Sequence, residues 1–174
     1  MFFLRKDIIG YQLKDAAIYW LAVPVAVMGS GRTIDLLFAL PELPGHGVLS
    51  AAAVVLLTGG LALIRQAMSD LALHGRGTAN PRRPPKTLVR SGVYSLCRHP
   101  MFLGYDLAAL GIILFCRSCG MLLVGCPALI IFQTLFLRRE ERYLARRFQQ
   151  DFPAYQLRVP FLIPRISSCW RKTK

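Results

Sequence analysis

The residues whose types could do chemistry fall at two places in this chain. The first is the stretch from Lys86 to Gly104, KTLVRSGVYSLCRHPMFLG, which is polar, basic and rich in turn residues. It holds one of only three histidines, His99, directly before Pro100. The second is the acidic pair Glu140 and Glu141. His99 and Tyr94 bring hydrogen-bond donors. A carboxylate holds a cation or hydroxyls through charge-assisted hydrogen bonds. A helix opening at Pro100 costs nothing at its first position and leaves backbone N–H groups for an anion. In isolation, RHP reads as a helix start with a capping histidine, and EE beside arginines reads as a solvated helix face. The elements between them decide which reading holds.

Those elements are apolar. The 174 residues suffice for one domain. Apolar residues make up 54% of the chain and come in blocks, with a mean hydropathy of +0.42. The fold class expected is all-α, an integral-membrane bundle of about four transmembrane helices with a C-terminal cytoplasmic amphipathic helix. Residues 1–15 suggest a short helix lying at the membrane surface, with charges that argue against a cleaved signal peptide. Residues 16–29, AAIYWLAVPVAVMG, give a first span with interfacial Tyr19 and Trp20; they fall short of the ~20 residues a crossing needs and either begin earlier or run on past Arg32 and Asp35 toward Leu40. Residues 48–66 give a second span, continuing toward Gly75, whose Ala51, Ala52, Ala53, Gly59 and Gly60 suit close helix packing. His46 falls in the preceding turn cluster and reads as a solvated loop residue.

Gly75, Gly77, Asn80, Pro81, Pro84 and Pro85 then exclude a continuous helix. Residues 100–137 read as a helical hairpin, turned at 117–119, each arm near the lower limit for a span. Asp106 lies within the first arm, where an acid faces a protein interior or a water cavity; a structural hydrogen bond to a neighbouring helix is the favoured role. Residues 138–152 continue as an amphipathic surface helix with Leu137, Leu144 and Phe148 on one stripe and Glu141 among them. Residues 153–174, with three prolines and a basic tail, are expected to be largely irregular. The hairpin's two arms, similar in length, bring His99 at its start beside Glu140 and Glu141 at its end. In domain terms, 1–73 are N-terminal membrane helices and 74–174 a binding region that includes the hairpin 100–137, within one structural domain.

Net charge is +13, unevenly spread. Residues 1–15, 64–99 and 138–174 hold twenty of the twenty-two Lys and Arg; Arg32 and Arg117 are the others. The positive-inside rule places those three segments, and both termini, in the cytoplasm, at the cell (inner) membrane. The apolar blocks leave little soluble fold to carry a basic nucleic-acid-binding face, so no nucleic-acid partner is expected. Five cysteines, an odd number in a chain that is not loop-rich, argue against a disulfide framework. Cys116 and Cys119 form a CxxC read as two small apolar residues at a helix end rather than a redox pair. No zinc-ligand spacing is present, so no metal is expected.

The order GxGTxNPxxPPKxLVxxGxYxxxRHPxY/FxG, then an apolar hairpin, then EExxLxxxFxxxFxxYxxxVPxxIP resembles the isoprenylcysteine carboxyl methyltransferases and their bacterial relatives, and more distantly the phospholipid N-methyltransferases. The match covers about residues 74–165. The resemblance implies a multi-pass membrane methyltransferase that uses S-adenosylmethionine on a lipophilic or lipidated acceptor. Carried over by position, it implies a cofactor pocket of Lys86, Thr87, Leu88, Val89, Tyr94, His99, Pro100, Met101, Phe102, Glu140 and Glu141. For the reaction itself it points to His99 and Arg139. Three positions depart from the pattern: Phe102 replaces a tyrosine, Gln149 replaces a glycine, and Phe136 stands one turn before Glu140 where an arginine is usual, leaving Arg138 and Arg139 as the nearest candidates. The alternative is a non-catalytic membrane scaffold or accessory protein on the same fold. The acceptor atom and oligomeric state are not legible.

Overall fold

The structure is a computed structural model and describes residues 23–78 and 84–164. The expected surface helix at 1–15, the anchors Tyr19 and Trp20, the turn residues Asn80 to Arg83 and the basic tail from 165 with Cys169 lie outside the described residues.

Among the described residues every regular element is helical. Helix α1, Val23–Phe38, runs on past Arg32 and Asp35 toward Leu40, one of the two expected extents; the other, an earlier start near Tyr11, lies outside the described residues. Helix α2, Gly47–Gly75, reaches the later of its two expected ends and stops at Arg76 in the left-handed region (φ 51°). A 3-10 turn, Gly92–Ser95, interrupts the irregular segment that follows. Helix α3, Pro100–Cys116, opens on its proline and is ended by Arg117 (φ 54°). A π-helical turn, Met121–Gly125, leads without a break into α4, Cys126–Phe148.

The C-terminal part corrects the expectation. The surface helix does not run to 152: it breaks at Gln149, whose φ of 39° leaves helical geometry, and a separate helix α5 spans Asp151–Arg158. Residues 153–158, expected to be irregular, are therefore helical. Pro153 is tolerated there because it falls in the first turn, where backbone N–H groups have no intrahelical partner in any case. Phe152 and Tyr155 bury the inner face of α5, so packing rather than propensity holds this short helix.

Among the described residues two helices are long and apolar enough to cross a bilayer, Gly47–Gly75 and the continuous Met121–Phe148; α3 is apolar but shorter. The most apolar windows of the two long helices are only 17% and 28% buried within the molecule, so they are not the core helices of a soluble fold. Val54, Val55, Leu61, Ile131 and Phe132 lie on the outside, the arrangement a lipid-facing surface requires.

The centre of the bundle is the antiparallel pair α2 and α3. Small residues let their backbones touch. A Cβ placed on Gly60 would stand 2.5 Å from the Gly104 carbonyl oxygen, one on Gly104 2.7 Å from the Gly60 oxygen, and one on Gly111 2.7 Å from the Ala53 oxygen. Of the small residues anticipated in α2, Ala53 and Gly60 are buried in this seam, whereas Gly59 faces open space. Helix α1 is pinned to the hairpin turn: the Ser118 hydroxyl and the Gly120 N–H (2.7 Å) both donate to the Asp35 carboxylate.

Candidate functional site

The open end of the hairpin forms a polar cluster, as the equal arms of the sequence imply. His99 Nε2 lies 3.2 Å from Glu141 Oε1, joining the first residue before α3 to a residue four turns beyond the turn side of α4. Arg98 adds its Nη1 to the same oxygen at 2.7 Å, and Gln156 of α5 donates to Glu141 Oε2 at 3.1 Å. His99 is buried, and the Arg98 and Glu141 side chains are each 13% exposed. Glu141 is thus engaged on both oxygens. Glu140, half-buried beside it, makes no ion pair among the described residues. Of the two acids, it is the one left outside these ion pairs.

Aromatic rings close the cluster from two sides. The Phe161 ring stands edge-on to His99 at 5.1 Å and under the Arg98 guanidinium at 5.5 Å. Phe102, one turn into α3, meets His99 at 6.4 Å and Phe136 of α4 at 6.0 Å. Two of the three positions that depart from the resembled pattern therefore pack on each other. The third, Gln149, sits at the positive φ that breaks α4 from α5, a conformation a glycine adopts without strain.

The other wall is built by the segment between α2 and α3. Lys86 N–H donates to the Gly75 carbonyl at 2.8 Å and the Thr87 hydroxyl to the His74 carbonyl at 2.7 Å, so both residues are tied to the end of α2 while their side chains stay exposed. Val89 is buried and Leu88 half-buried. Tyr94 lies half-buried in the 3-10 turn, its carbonyl accepting the Tyr155 hydroxyl at 2.6 Å. Burial drives the Tyr94 phenol well above its ordinary range, with Glu140 the first of several acids adding to the effect, which places Tyr94 electrostatically within reach of Glu140.

The 3-10 turn is set by a residue sequence reasoning passed over. Asp70 of α2 is buried and accepts hydrogen bonds from the Val93 N–H and the Gln66 amide, each at 2.9 Å. Gly92 lies against that carboxylate with φ 61°, where a side chain would collide with it. An acid inside an otherwise apolar helix was the available signal. Arg98, Gln156 and Phe161 were also missed as site residues; Gln156 and Phe161 become so only through the fold-back of α5 and the segment after it, whereas Arg98 meets Glu141 of α4 directly.

The structure therefore gathers His99, Pro100, Met101, Phe102, Tyr94, Glu140 and Glu141 at one end of the hairpin, with Leu88 and Val89 in the adjoining wall. Arg139 is exposed, and the arginine that meets the acidic pair is Arg98.

Comparison with known proteins points the same way. The family model described as phospholipid methyltransferase matches residues 48–151, from the start of α2 to the start of α5. The chain is similar to the cobalt-zinc-cadmium resistance protein CzcN of Cupriavidus metallidurans, 38% identical over 85 residues, which is 49% of this chain and 39% of that protein. It is also similar to the protein-S-isoprenylcysteine O-methyltransferase of Rattus norvegicus, 30% identical over 129 residues (71% of this chain, 44% of the relative), and to that of Saccharomyces cerevisiae, 29% identical over 110 residues (60% and 46%). The chain spans less than half the length of these curated relatives. No solved structure matches.

Proposed function

Because the chain belongs to the phospholipid methyltransferase family, we propose that it is an S-adenosylmethionine-dependent membrane methyltransferase acting on a lipophilic acceptor that reaches the site from the bilayer. The observation that carries this reading is the pairing at the hairpin mouth. Glu141 is consumed by Arg98, His99 and Gln156, while Glu140 beside it keeps an uncommitted carboxylate next to the free first turn of α3.

The residues present fit the proposed cofactor. Its ammonium and sulfonium are cationic, and Glu140 is an anion without an ion pair among the described residues. Its carboxylate suits the N–H groups of Met101 and Phe102 at the start of α3, where no side chain caps the helix. Leu88, Val89 and Phe102 offer apolar surface for an adenine. When bound, S-adenosylmethionine supplies an electrophilic methyl group. The chain's own task is then to orient the acceptor in line with it and to exclude water. His99, held by Glu141, is placed to hold a proton at Nε2 or contact the cofactor. Lys86 and Thr87 serve this reading by anchoring the wall, and Arg139 is free to meet an acceptor from the cytoplasmic face.

The same reading takes α1, α2, α3 and the helix Met121–Phe148 as four spans of the cell (inner) membrane with both termini in the cytoplasm. The charge distribution and the two long apolar helices support it. Calorimetry on detergent-solubilised protein tests the assignment: S-adenosylmethionine binds wild type, and Glu140→Ala abolishes that binding while the protein stays folded. Heatless titration of wild type would instead favour a non-catalytic scaffold on the same fold.

A further inference from the structure

The seam between α3 and α4 is layered. At the open end lies the His99–Glu141 contact, with Glu140 beside it. One turn deeper the Phe102 and Phe136 rings meet at 6.0 Å. One turn deeper again, Gln133 Nε2 donates to Asp106 Oδ2 at 2.8 Å. Asp106 follows His99 by seven residues and Gln133 precedes Glu140 by seven, so each lies almost directly below its counterpart, about 10 Å away at 1.5 Å per residue. Beside that pair lies a small, partly open apolar pocket of about 40 Å³, lined by Met28 of α1 together with Asp106, Ala109, Ile113, Cys126 and Leu129.

Asp106 Oδ1 is buried and has no hydrogen-bond partner among the described residues. Gln133, itself buried, is spent on the other oxygen. An unpaired acceptor in such surroundings costs about 1–3 kcal/mol. A water molecule needs two to four polar partners, and the cavity's remaining lining is apolar. A partner for Oδ1 therefore has to arrive as a polar group on an apolar body.

We propose that Asp106, oriented by Gln133, is an acceptor-recognition subsite that takes a hydrogen-bond donor, a hydroxyl or amine, carried on the hydrocarbon part of the acceptor about 10 Å from the atom that is methylated. The aromatic pair Phe102–Phe136 flanks the hydrocarbon between the two polar levels, and the cavity receives the chain beyond the second. The substrate class is thus an amphiphile with two polar groups rather than a plain alkyl or prenyl chain. This rests on the methyltransferase reading for the identity of the upper site, but not for the existence of the lower one.

The test uses the full chain in detergent and defined probes: twelve-carbon chains bearing an amine, thiol or carboxylate at C1, each made with and without a hydroxyl at C8. Affinities are measured by thermal shift for wild type, Asp106→Leu and Gln133→Met. In wild type, at least one head group binds about tenfold tighter with the C8 hydroxyl than without it. The preference disappears in Asp106→Leu and weakens in Gln133→Met, and the plain chains bind all three proteins alike. A hydroxyl preference below threefold in wild type, one that survives Asp106→Leu, or binding of none of the probes overturns the proposal. The cooperative unfolding transition of each ligand-free sample shows that each variant is folded. S-adenosylmethionine affinity, measured on the same samples, separates the two claims: if wild type keeps the hydroxyl preference but binds no S-adenosylmethionine, the methyltransferase reading fails and the subsite stands.

Discussion

The hydroxyl of Tyr155 donates to the backbone carbonyl of Tyr94 across 2.6 Å, tying the inner face of α5 to the 3-10 turn of the candidate site. Both phenols are driven up by burial, so the donor keeps its proton throughout the physiological range. Tyr155→Phe preserves the ring and removes one partly buried hydrogen bond, which costs about 1 kcal/mol of stability. The Tyr94 turn loses its tether at the same time. Thermal unfolding in detergent reads the first effect. Titration with S-adenosylmethionine reads the second, with an affinity loss of about three- to tenfold expected. Unchanged affinity would show that α5 does not position Tyr94.

Adjacent acids should behave differently. Glu141→Gln leaves Arg98 and His99 without their anion in a mostly buried cluster, and breaking such a pair from one side costs about 3–5 kcal/mol. Glu140→Gln removes a carboxylate with no ion pair among the described residues, so its unfolding temperature stays close to wild type while cofactor binding is lost. Comparing thermal stability and calorimetry across the two variants gives opposite orderings. Equal losses of stability would contradict the division of labour.

Two backbone positions make a matched pair. Gln149 adopts φ 39°, strained for a side chain, and Gln149→Gly should stabilise the α4–α5 junction by about 1 kcal/mol. Gly92 adopts φ 61° against the Asp70 carboxylate, and Gly92→Ala should destabilise by about 2 kcal/mol or more. Chemical denaturation in a mild detergent gives both values, and the signs are the test.

The Cys97 thiol is buried beside the site and is pushed up to about 11 by that burial, from an ordinary 9.0. The fold therefore favours the protonated thiol. Its contribution is fully present below pH 9 and is lost as pH rises toward 11. Stability measured from pH 8 to 11 falls in this window, and Cys97→Ala removes the part of the fall that begins near pH 9. At pH 8, iodoacetamide should label the half-exposed Cys116, Cys119 and Cys126 before Cys97.

The helices of this molecule were legible where a single physical signal dominated. Apolar runs marked α2, α3 and α4, and Pro100 and Gly75 marked their ends. The meeting of His99 with the acidic pair followed from equal arm lengths. What stayed hidden depended on tertiary fold-back. Helix α5 is short and holds a proline, and only the burial of Phe152 and Tyr155 stabilises it. Adjacency in sequence does not distinguish Glu141 from Glu140 or single out Arg98 from the other arginines; the contacts of Arg98, His99 and Gln156 with Glu141 do so only once the chain is folded. Asp70 was hidden for a different reason: an acid in an apolar helix signals a buried partner, but that partner is a backbone N–H twenty-three residues away, which residue type does not identify.

The glycine seam between α2 and α3 has one more consequence. Backbones that touch at Gly60, Gly104 and Gly111 have a single register, since sliding by one residue would drive a side chain into a carbonyl oxygen. Asp70 and Gly75 on one helix and His99 on the other are thereby held like two jaws of a fixed gauge. Under the proposed function, exchange of cofactor and acceptor falls to the opposite side, where α5 and the Phe161 strap rest on hydrogen bonds and ring contacts rather than on interlocked backbone.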